Sequence, residues 1–133
     1  MSVIQTNKYH VSSLQYHIVF FTANDITLND IEIDFVMKYF TSVSRRHEFK
    51  ILKMEVLARF AYLVINCKTT HYIPNMMKAL KGGSARFMYK EFPDSRNKNG
   101  DSLWDSKYFI SSDQCQLEKL IQNYGYNNLF ELQ

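Results

Sequence analysis

Residues 51–67 read ILKMEVLARFAYLVINC, and this stretch decides the fold. Two runs rich in β-branched, aliphatic and aromatic residues, Ile51 to Leu57 and Phe60 to Cys67, are separated by Ala58 and Arg59. Such a short break predicts two antiparallel strands joined by a tight turn. Upstream, Asn29 is suited to cap a helix, with Glu32 three residues on as its capping-box partner. Ile33, Val36, Phe40 and Val43 then recur at three- and four-residue spacing, which marks one buried helical face. Acidic residues open this helix, and Arg45, Arg46 and His47 close it, an order that suits the helix dipole. Before it, Leu14 to Thr22, LQYHIVFFT, is apolar on both faces and reads as a central, doubly covered strand.

Downstream, Pro74 suits the first turn of a second helix running to about Glu91. Gly82 and Gly83 weaken its middle, and Pro93 stops it. Residues 94–102, DSRNKNGDS, are expected to form a polar loop, and Lys107 to Ile110 a short strand. Leu117, Leu120 and Ile121 mark a final helix that Gly125 ends. The order is that of a split βαβ, ferredoxin-like α+β sandwich. It implies an antiparallel sheet with two helices on one face and an extra C-terminal helix, in a single domain over residues 1–133. The other sheet face is left for a ligand, a partner or the last helix. Such a fold hosts many functions and names none.

Apolar residues make up 46% of the chain, enough for a core, and charged residues 22%, which excludes a disordered composition. No apolar run approaches the roughly 20 residues needed to span a bilayer. The opening MSVIQTNKYH lacks the apolar block of a signal peptide, so a cytoplasmic protein with no membrane partner is expected. Cys67 and Cys115 lie far apart without a CxxC pair and read as reduced, largely buried thiols. His10, His17, His47 and His71 have no metal-ligand spacing, and His17, in a central strand, reads as a hydrogen-bonded structural residue. The net charge of +3 permits a polyanionic partner without requiring one. Ten Phe and nine Tyr can fill a core or stack on bases.

Three segments, in order, resemble the HUH single-tyrosine transposases of the smallest bacterial insertion sequences. MEVLARFAYLVI (54–65) resembles the family strand that carries Asp, His, an apolar residue and His. MMKALKGGSARFMYKEFPD (76–94) resembles its basic helix with a Lys-Gly-x-Ser-x-Arg core. LWDSKYFI (103–110) resembles its last strand entry, and the opening YHIVFFT fits as well. The resemblance implies a homodimer that recognises single-stranded or hairpin DNA. In active members the two His would hold a divalent metal, which polarises a phosphate, and a Tyr of the last helix would attack it.

This chain departs from that pattern at its centre. Phe60 and Tyr62 stand at the two His positions and Arg59 at the Asp position. Neither Phe nor neutral Tyr suits Mg²⁺, which prefers carboxylate and water oxygens. Asn66, on the same strand face, is a weak substitute. If LIQNY (120–124) matches the family's Tyr-Ile-x-Asn-Gln, Leu120 replaces the nucleophile and Tyr124 the Gln. If spacing from Tyr108 is kept instead, Tyr124 is the nucleophile and Asn128 lies near the Gln position.

Phe60 and Tyr62 could form a base-stacking platform or pack beneath the last helix. The packed reading is preferred, because most aromatics in small domains are core. Lys78, Lys81, Arg86 and Lys90 lie along the second helix, with Arg96 and Lys98 beyond it. They are the expected phosphate contacts, against a solvated helix face as the plainer alternative. Three functions follow. The first is an inactive relative, without metal, that binds hairpin or single-stranded DNA or RNA. The second is an active strand transferase using Tyr124 with Mg²⁺ or Mn²⁺. The third is a protein-interaction module on the same scaffold.

Overall fold

The structure, a computed structural model, describes residues 13–125. His10 and Asn128 lie outside the described residues. Strand β1 (Ser13–Phe21) leads through Asn29 into helix α1 (Asp30–Arg46). The capping box is complete: Asn29 Oδ1 accepts the Glu32 N–H at 2.8 Å, and Glu32 Oε1 accepts the Asn29 N–H at 2.9 Å. Strands β2 (Lys50–Val56) and β3 (Phe60–Lys68) follow as an antiparallel pair. Leu52 sits in a bulge between the paired positions Ile51 and Lys53.

The second helical segment has three parts: α2 (Ile73–Met77), a π-helical stretch over Lys78–Gly83, and α3 (Ser84–Glu91). The two expected weak points, Gly82 and Gly83, close the π stretch, so the helix widens there without breaking. Pro93 ends α3 as expected but also starts α4 (Pro93–Asn99), where a polar loop was expected. Pro is pre-set for the first helical turn. Ser95 Oγ donates to the buried carboxylate of Glu32, tying α4 to the start of α1. No α4 residue is buried, so no apolar periodicity announces the helix in the sequence.

Strand β4 (Phe109–Ser111) begins two residues later than expected, and helix α5 (Gln114–Asn123) ends at Gly125 with φ +90°. The shift of β4 has a local cause. Asp105 Oδ1 accepts the Lys107 N–H at 2.9 Å, which turns the chain at residues that would otherwise pair. That bond also holds the Asp105 carboxyl below its usual range.

The sheet order is β2-β3-β1-β4, antiparallel throughout, which is the expected ferredoxin-like arrangement. One face carries α1 and the α2–α3 helix over Ile18, Phe20, Ala61, Leu63 and Ile65. Trp104 packs there edge-on against Phe20, ring centroids 4.8 Å apart. The other face is covered by α5 through Leu117 and Ile121. Cys67 is buried, but Cys115 is exposed in the first turn of α5, contrary to the expectation that both are largely buried. No described helix is long and apolar enough to cross a membrane.

Candidate nucleic-acid interface

Alternation along a strand sends residues 60, 62, 64 and 66 of β3 to one face. Phe60, Tyr62 and Val64 there join Val19 and Phe21 of β1, Phe109 of β4, and Leu117 and Ile121 of α5 in one cluster. Phe60 is 5% exposed and Tyr62 1%. These two aromatics are therefore packed beneath the last helix, and an open stacking platform is ruled out for them.

The Tyr62 hydroxyl lies 2.8 Å from His17 Nδ1. Lys53 sits 5.5 Å from the centre of its ring. Burial, reinforced by the carboxylates of Glu55 and Glu118, pushes the Tyr62 hydroxyl up to about 12. It stays neutral at physiological pH and is a poor nucleophile or ligand. His17, the structural residue expected from the sequence, is held below its usual value, mainly by burial and also by Lys53, with Asp113 opposing. Arg59 reaches out to Asp25 at 3.5 Å. Asn66 carries a buried Oδ1 without a hydrogen-bond partner, but a single amide oxygen is no metal site. The side chains at these positions do not fit a divalent metal.

Tyr124 and Leu120 lie at the far edge of this face. Tyr124 is 63% exposed and its ring meets Phe109 edge-on, centroids 5.4 Å apart. With Leu120, Tyr108 and Ile110 it lines a groove of about 420 Å³ beside β4. Neither Phe60 nor Tyr62 borders that groove.

The segment Lys81–Arg86, KGGSAR, divides its labour. Lys81, grouped with the phosphate contacts on sequence, is directed inward: its Nζ donates to the carbonyls of Asp105 at 2.7 Å and Lys107 at 3.2 Å. Burial lowers its pKa, with Asp105 opposing. Ser84, fully buried, accepts the Trp104 Nε1–H at 2.9 Å and donates to the Lys81 carbonyl. These two residues hold the loop that carries Trp104 onto the core. Gly83 faces Tyr39 of α1 so closely that a Cβ would collide with the ring.

Lys78, Arg86, Lys90, Arg96 and Lys98 are exposed. Arg96 is bonded to Asp101 at 3.0 Å. Arg86 and Lys90 border a groove of about 530 Å³ with Arg96, while Lys78 and Arg86 border a second of about 520 Å³. The second groove also takes in Tyr39 of α1, which the sequence did not single out, and Arg46, which it assigned only to dipole balance. Their spacing of seven residues, two helical turns, was the available signal that they share a face.

The model of a family described as Transposase IS200 like matches residues 10–128. The ISDra2 transposase TnpA of Deinococcus radiodurans is 25% identical over 121 residues, 86% of each chain. A crystal structure described as a transposase from the same organism superposes with a TM-score of 0.79 at 26% identity, covering 90% of this chain and 94% of that one. A REP-associated tyrosine transposase bound to a REP hairpin shares the fold, with a TM-score of 0.59 at 11% identity over 96% of this chain and 76% of that one.

Proposed function

The chain belongs to the IS200-like transposase family, and from that premise we propose that it binds hairpin nucleic acid without cutting it. The observation that carries the second half is the burial of Phe60 and Tyr62 beneath α5. Cleavage in this family's manner needs a metal held on that strand face and space for a phosphate beside it. Here apolar side chains occupy the space, and the remaining hydroxyl is bonded to His17.

The binding half rests on the opposite, helical face. There Lys78, Arg86, Lys90 and Lys98 stand exposed, and a relative in fold is bound to a REP hairpin. Cations on one face of a rigid scaffold position a phosphate backbone. The protein works as a cytoplasmic homodimer that marks, sequesters or represses a hairpin.

Filter binding to DNA and RNA hairpins at low and high salt tests the first half. Binding at low salt that weakens steeply as salt rises is expected, and no binding at low salt refutes the reading. Incubation of the same hairpins, and of single strands, with Mg²⁺ or Mn²⁺ tests the second. No covalent protein–oligonucleotide adduct is expected. An adduct that Tyr124→Phe abolishes would establish the strand-transferase reading in its place.

A further inference from the structure

Three grooves follow one another across the helical face. The first, about 410 Å³, runs along α1 beside Lys38, Arg45 and Arg46. The second shares Arg46 and passes Lys78 to reach Arg86. The third shares Arg86 and continues to Lys90 and Arg96. Arg46 and Arg86 thus stand at the two junctions. Lys38 and Arg96, nearer the ends, are paired internally with Asp34 at 2.9 Å and Asp101 at 3.0 Å. Among the described residues no carboxylate lies within ion-pair distance of Arg46 or Arg86.

Aromatic rings hold these two arginines instead. The Arg46 guanidinium lies 5.7 Å from the centre of the Tyr39 ring and donates through Nη2 to the Tyr39 hydroxyl at 3.3 Å. The Arg86 guanidinium lies 4.8 Å from the centre of the Phe87 ring. Tyr39 and Phe87 stack on each other, centroids 5.5 Å apart and planes 29° apart. Arg46, Tyr39, Phe87 and Arg86 thus form one continuous chain of contacts around the Tyr39–Phe87 stack, and the absence of a Cβ at Gly83 lets Tyr39 seat in it.

We infer that Arg46 and Arg86 form a phosphate clamp whose jaws are spaced by the Tyr39–Phe87 stack. The nucleic-acid backbone runs through it along the three grooves, from α1 to α4. The inference rests on the hairpin-binding reading and extends its surface onto α1. The chemistry favours these two cations over their neighbours. A ring beneath a guanidinium restrains it while leaving most of its N–H edge free for a bidentate bond to phosphate. A salt-bridged cation must first surrender its carboxylate. Restraint before binding also lowers the side-chain entropy lost on binding.

The test is a fluorescence-anisotropy titration of a labelled DNA hairpin between about 50 and 200 mM salt, the range over which phosphate contacts separate. Arg46→Gln and Arg86→Gln should each weaken binding about fivefold to tenfold at the higher salt. Each should also reduce the slope of log affinity against log salt by about 0.9, one phosphate. Lys50→Gln removes the same charge from β2, away from the grooves, and should change affinity less than about twofold, as expected for a charge making no phosphate contact. Tyr39→Leu, checked as folded by circular dichroism, keeps both arginines and should still weaken binding. If Arg46→Gln and Arg86→Gln lose no more than Lys50→Gln, the clamp is refuted while hairpin binding stands. If the unmodified protein does not bind the hairpin, the functional reading itself has failed.

Discussion

Placing histidines on β3, as the double variant Phe60→His and Tyr62→His, should destabilise this protein rather than create a metal site. Phe60 is 5% exposed and packs against Phe21, ring centroids 6.2 Å apart, in the cluster closed by α5. Exchanging its ring for an imidazole forfeits much of the roughly 1.5–3 kcal/mol gained by burying a large apolar side chain. The new ring nitrogens, buried without partners, cost about 1–3 kcal/mol more. At position 62 the change removes the 2.8 Å bond to His17, about 1 kcal/mol, and the ring beneath Lys53, about 0.5 kcal/mol. The total is about 5 kcal/mol, comparable with the whole stability of a marginal domain, about 5–15 kcal/mol. Urea unfolding followed by circular dichroism measures it, with and without Mn²⁺. A metal at a hundredfold excess over its Kd returns only about 2.7 kcal/mol. A variant with the parental urea midpoint, or one that Mn²⁺ restores fully while a covalent hairpin adduct forms, would refute the sealed-cluster argument.

Leu117→Ala should cost about 3 kcal/mol in urea unfolding, because Leu117 is fully buried between α5 and the sheet; a loss under about 1 kcal/mol would mean that α5 is not firmly seated. His17 has a folded pKa below its unfolded 6.5, so the unfolded chain binds the extra proton first. Stability is therefore full above that unfolded value and declines as pH falls from it toward the folded one. Melting temperatures of the parent and His17→Gln across this range should reveal that slope in the parent and a flatter profile in the variant. Asn29→Ala breaks the capping box of α1 and should cost about 1 kcal/mol by the same urea assay. Tyr124→Phe should leave the melting temperature and hairpin affinity unchanged, since its ring edge on Phe109 survives the loss of the hydroxyl.

The fold was legible because its signals are local. The paired runs around Ala58 and Arg59, the Asn29–Glu32 box and the periodicity of α1 each lie within a few neighbouring residues, and each formed where expected. Helix α4 was not legible, since its side chains are polar and its anchor, Glu32, belongs to another helix. The start of β4 slipped because an Asp105 side-chain turn competes with pairing, and Lys81, from another helix, binds the backbone carbonyls of Asp105 and Lys107.

At the candidate site the division is similar. The sequence alone determined that β3 carries Phe60 and Tyr62 and that the second helix is basic, because both are matters of residue identity. Only the tertiary structure decided whether those aromatics face solvent or fill a core, for that depends on where Leu117 and Ile121 land, nearly sixty residues away along the chain. It likewise turned Lys81 inward to the loop carbonyls and brought Arg46 of α1 to Arg86 of α3 through two stacked rings. Sequence patterns report which side of its own element a residue occupies. Which element lies opposite, and which charges are thereby paired or left free, is a property of packing between segments that the chain places far apart.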